Sequence, residues 1–83
     1  MIPLYQDPVF TFRFVEDRLI DRFHLADVRA GKKVTVFRWQ ADAPNQAGPE
    51  LTRCVVGEGG WVTVCPPLPV RKGGGFVVAV QPD

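Results

Sequence analysis

The sequence predicts an all-β domain, a small antiparallel β-sandwich of about six strands. Three observations predict it. Apolar and polar residues alternate with period two, β-branched and aromatic residues gather in short runs, and glycine- or proline-rich breaks separate those runs. The chain has 83 residues, 46% of them hydrophobic, with six Phe, two Trp and one Tyr. That is enough apolar surface for one core without a metal or disulfide, so residues 1–83 read as a single domain.

Taken in order, residues 9–15 place Phe10, Phe12 and Phe14 on one side and Thr11 and Arg13 on the other. Residues 16–30 admit two readings. As a strand, Phe23 and Leu25 alternate with Arg22 and His24. As a helix, Leu19, Phe23, Ala26 and Ala30 share a face, with Gly31 as its stop, but Leu25 and Val28 then point away from that stripe. The strand reading is preferred. The alternative fold is a small barrel with one helix over 16–30.

Residues 33–40 (KVTVFRWQ) follow a turn at Gly31 and form a β-branched and aromatic strand. Residues 41–50, with Pro44, Asn45, Gly48 and Pro49, read as a loop. Residues 51–56 and 61–65 flank Gly57-Glu58-Gly59-Gly60 and read as a hairpin, since glycine tolerates the positive φ of tight turns. Pro66, Pro67 and Pro69 suggest an extended crossing between sheets. After three glycines, residues 76–80 are apolar throughout, the mark of a strand covered on both faces.

From Phe23 onward this punctuation resembles the bacterial immunoglobulin-like modules that occur in repeats on surface adhesins. The matching pieces are residues 23–28, Gly31, Val34-Thr35-Val36, residues 52–64 around Gly59-Gly60-Trp61, Pro67-Leu68 and Gly75-Phe76-Val77-Val78. The resemblance covers about sixty residues, roughly 23–80, and implies an immunoglobulin-like order of strands. The chain departs from the pattern in three ways. Asp27 stands where those modules carry glycine, the Phe-rich first strand is extra, and there is no tandem repeat.

Composition narrows the function. Ten Lys/Arg against nine Asp/Glu, interleaved in sign, give no basic stripe for duplex nucleic acid or an anionic membrane. No run approaches the length of a membrane span. There is no serine, which removes Ser-His-Asp chemistry, and only one histidine, His24. Residues 1–8 lack the basic and apolar regions of a signal peptide, so a cytoplasmic location is expected, or an extracellular one if a signal has been removed. Seven arginines against three lysines, with eight prolines, suggest a GC-rich bacterial source.

Each candidate for chemistry has a plainer explanation. In the expected hairpin Cys54 and Cys65 would lie opposite or diagonal, able to form a disulfide, yet such cysteines are more often buried, reduced and small. With His24 and a carboxylate they lack zinc-ligand spacing, so no metal is expected. An imidazole is the side chain type that titrates near neutrality, but His24 has no legible orienting partner or pocket. Gly57, Gly59 and Gly60 do not make a dinucleotide fingerprint, and Gly73-Gly74-Gly75 lacks the following Lys-Ser/Thr of a phosphate loop. Pro66 to Arg71 matches P-x-x-P-x-R, a polyproline ligand pattern that a folded domain would bury in its own architecture.

No catalytic residue and no cofactor is therefore expected, and the chain reads as a non-enzymatic structural or protein-interaction domain. Its strands carry apolar residues on both sides: Val34 and Val36 against Phe37 and Trp39, and Val62 and Val64 against Trp61 and Cys65. A sheet in a two-layer domain buries one face, so the other needs cover, from a helix over 16–30 or from another protein chain. The expected partner is a second copy or another protein, with Phe37, Trp39 and Trp61 as anchors. The competing class is a small-ligand or single-stranded nucleic-acid binder using the same aromatics.

Overall fold

The computed structural model describes residues 9–43 and 48–81. Within them lie β1 (Val9–Arg13), β2 (Arg18–His24), β3 (Lys33–Gln40), β4 (Glu50–Val55), β5 (Trp61–Val70) and β6 (Gly74–Val80), with a 3-10 turn at Glu58–Gly60. All pairings are antiparallel. One sheet has the order β1-β6-β3-β4 and the other is the pair β2-β5. The readings of residues 1–8, and of 44–47 within the expected loop, fall outside the described residues.

Alternation builds the inner layer. Phe12 pairs with Phe76, Val36 with Val78 and Val34 with Val80, so these side chains make an apolar floor on one face of the larger sheet. Phe23, Val62, Val64, Leu68 and Val70 close it from the smaller sheet. Phe76 lies at the centre, its ring 4.8 Å from Phe12, 5.2 Å from Phe23 and 5.7 Å from Phe14. Burying each such side chain contributes about 1.5–3 kcal/mol. No polar side chain is buried among the described residues. The ladder between β1 and β6 runs on past Arg13, because the Phe14 N–H donates to the Gly74 carbonyl and the Gly73 N–H to the Phe14 carbonyl.

The preferred strand reading of residues 16–30 holds over residues 18–24, which pair with β5, and the helix of the alternative fold does not form there. Two local expectations change. The stretches on either side of Gly57–Gly60 do not form a hairpin: β4 pairs with β3 while β5 pairs with β2. The reason is a set of backbone bonds that separates them. Val56 donates to the Lys32 carbonyl and accepts from the Gly31 N–H, which fixes the end of β4 to the start of β3, and the Gly60 carbonyl accepts from Leu25 at the end of β2. The positive φ of Gly59 and Gly60 serves a crossing between sheets instead of a strand reversal.

The proline segment, conversely, does not cross. Leu68, Pro69 and Val70 continue β5 opposite Ile20, Leu19 and Arg18. The register shifts between Ile20 and Arg22, opposite the stretch of β5 that holds Pro66 and Pro67. Prolines fit there because β5 is an edge strand, and Leu68 and Val70 are committed to the core.

Candidate interaction surface

The outward face of the smaller sheet presents Trp61 and its neighbours. Along β5, Val62 and Val64 turn inward, leaving Trp61, Thr63 and Cys65 exposed. Cross-strand register sets His24 opposite Trp61 and Arg22 opposite Thr63. The imidazole lies 5.1 Å from the indole at an interplanar angle of 56°. The Arg22 guanidinium carbon stands 5.3 Å from the centre of the same ring, within reach of a cation–π attraction.

The imidazole is itself anchored, since His24 Nε2 donates to the Gly59 carbonyl at 2.7 Å. Gly60 permits this closeness. A Cβ there would collide with the Leu25 carbonyl and lie 3.2 Å from His24 Nε2. Trp61 is thus 49% exposed yet held between two partners. At the other end of the sheet Leu19, 68% exposed, faces Pro69.

Phe37 and Trp39 lie elsewhere, on the outward side of the larger sheet. Trp39 is only 7% exposed, and the Arg13 guanidinium carbon is 5.7 Å from its ring centre. Both residues pair with Gly75 from opposite sides, and the missing side chain on β6 leaves the arginine room to reach the indole. A Cβ at Gly75 would strike the Phe12 carbonyl. Phe37 is half-buried beside Val77, which is fully buried.

No family model, curated protein or solved structure matches this chain. Its own geometry is therefore what bears on function. The three aromatics singled out in the sequence do not meet: Trp61 belongs to one sheet, Phe37 and Trp39 to the other.

The cysteines are also divided. Cys54 on β4 is half-buried against the core, Cys65 on β5 is exposed, and both are free thiols. Burial pushes the Cys54 thiol above its ordinary value, partly offset by a hydrogen bond with Thr52. Among the described residues, no group of three or more His, Cys, Asp or Glu side chains could hold a metal ion, and no helix is long and apolar enough to cross a membrane.

Sequence reasoning missed Arg22 and Arg13. The signal for Arg22 was present, because two-residue alternation puts it on the same face as His24. Arg13 was not findable in the same way, since its place over Trp39 depends on two strand registers and an intervening glycine.

Proposed function

We propose that this chain is a non-enzymatic protein-interaction domain that self-associates through the outward face of β2 and β5, with Trp61 as its central anchor. One observation carries the reading: Trp61 is exposed but fixed in place by His24 and Arg22. A pre-positioned aromatic loses little rotamer freedom on contact, and Trp and Arg are the residue types that dominate binding energy at interfaces. A net charge of +1 also leaves little repulsion between copies.

The partition of the aromatics refines the anchor set. Trp61 and Arg22 are the contact residues of this proposal, while the buried Trp39 and half-buried Phe37 hold the larger sheet together. A stacking platform for successive bases of a single strand has less support, since the rings lie on two different sheets.

The immunoglobulin-like character of the sandwich belongs to the same proposal. Two features support it: β2 and β5, distant in sequence, form the second sheet, and Asp27 takes a φ of 60° where the modules it resembles carry glycine.

Amide and indole NMR over a concentration series tests the surface. The Trp61 indole and the amides of Arg22, His24 and Thr63 are expected to shift together as concentration rises, with the Trp39 indole unmoved. Shifts centred on Phe37 and Trp39 would move the interface to the other sheet and overturn the assignment.

A further inference from the structure

The two sheets differ in width, and the difference opens a cleft. Four strands face two, so the smaller sheet does not cover the whole inner face of the larger one. Along β3 the inward row reads Val34, Val36, Arg38, Gln40. The first two are fully buried and the last two exposed. Arg38 belongs to that row because it pairs with Phe76, whose ring fills the core.

Inward charges on strands commonly guard a sheet edge against pairing. That explanation fails here, because β3 is bonded on both sides, to β6 and β4. Arg38 instead lines a cleft of about 440 Å³ whose walls include Leu51, Leu68, Val70, Arg71 and Lys72. Clefts of roughly 300–1,000 Å³ are the size that holds small molecules.

Among the described residues the charges at this cleft are of one sign: its ionisable lining is Arg38, Arg71 and Lys72, with no carboxylate. The ion pairs of Arg18 with Glu16 and of Arg53 with Glu50 involve none of the three. Asp17, in an adjoining depression with Arg18 and Arg71, already accepts from the Lys72 backbone N–H at 2.8 Å. Like charges around low-dielectric walls concentrate a positive field, and a guanidinium suits a carboxylate's two oxygens.

We propose that this cleft binds a small amphipathic carboxylate. The Arg38 and Arg71 guanidinium groups take the carboxylate, Lys72 adds to the field, and Leu51, Leu68 and Val70 pack the apolar body. The site is separate from the Trp61 surface and stands or falls without it.

Amide NMR of the full chain, titrated with octanoate in the millimolar range, tests the site. Shifts are expected at residues 38, 51, 68 and 70–75. Octanamide, neutral and nearly the same shape, is expected to bind at least about tenfold more weakly, because a charged hydrogen bond is lost. Arg38→Gln and Arg71→Gln are each expected to weaken octanoate by about tenfold with the spectrum otherwise folded. Arg71 lies just beyond β5, so its variant serves even if Arg38→Gln disturbs the sheet. Trp61→Ala is expected to leave octanoate binding unchanged. Equal binding of octanoate and octanamide, shifts confined to the Trp61 face, no effect of either arginine variant, or no shift at all would each overturn the proposal.

Discussion

The two tryptophans occupy parallel situations with opposite outcomes. Each lies on the outward face of its sheet, and each has an arginine over its ring, Arg13 for Trp39 and Arg22 for Trp61. Trp39 is 7% exposed and Trp61 49%. The difference comes from strand position. β3 has a bonded neighbour on either side, whereas β5, among the described residues, is an edge strand of a two-stranded sheet with β2 as its one partner. A side chain of the same type and face polarity becomes structural in the first setting and available in the second. Exposure of an aromatic therefore depends on how many strands flank it, a property that local alternation does not record.

The largest effect is expected from a substitution at Gly75 in the larger sheet. Gly75→Ala places a methyl group against the Phe12 carbonyl, beneath the contact between Arg13 and Trp39. A loss of at least about 3 kcal/mol is expected, from overpacking that neither β1 nor β6 can relieve without breaking their pairing. Urea unfolding, or failure to obtain folded protein, checks it. An unchanged midpoint would mean that the sheet is looser than described.

Substitutions of the two tryptophans are expected to differ in cost. Trp39→Ala is expected to cost about 3–5 kcal/mol, as for other buried aromatics. Trp61→Ala is expected to cost less than about 1 kcal/mol, because half the ring already meets solvent. Equal costs in chemical denaturation would dissolve the distinction between a structural and an available indole.

Asp27 offers a smaller effect in the other direction. Its φ of 60° lies in the left-handed region, which costs most residues roughly 1–2 kcal/mol and aspartate somewhat less. Asp27→Gly is expected to stabilise the domain by about 0.5 kcal/mol after the greater freedom of glycine in the unfolded chain is counted. A lower melting temperature would show that the aspartate side chain makes a stabilising contact of its own.

The thiols give the smallest effect. Cys65 is exposed and Cys54 half-buried with a raised pKa, so iodoacetamide near neutral pH is expected to modify Cys65 first. The sign for stability follows from the same shift. Raising the folded pKa makes ionisation easier in the unfolded chain, so the Cys54 thiol supports the fold at neutral pH. That support is lost as pH rises into the alkaline range through the raised value. Mass spectrometry after partial alkylation separates the two sites, and preferential labelling of Cys54 would contradict the placement of β4 against the core.

Much of the architecture was legible because it is local. Phe10, Phe12 and Phe14 alternate on paper as they do beside the core, the 33–40 strand has the expected bounds, and the covered character of 76–80 follows from its unbroken apolar run. Partner choice was not legible. Gly57–Gly60 permits positive φ but does not say whether the next strand turns back on β4 or joins β2, and that choice rests on hydrogen bonds from Leu25 and Gly31. The same gap explains the site. Trp39 and Trp61 look equivalent in sequence, and only the sheet order separates them. Arg38 looks like an ordinary surface arginine until the unequal widths of the sheets place it at the mouth of a cleft.

Self-association through the Trp61 face is read out by sedimentation velocity over a wide range of protein concentration. Wild type is expected to rise from the 9.2 kDa monomer toward a dimer, and Trp61→Ala to remain at 9.2 kDa with an unchanged far-ultraviolet spectrum. A wild type that stays monomeric at every concentration, or a Trp61→Ala variant that associates as well as wild type, would contradict it.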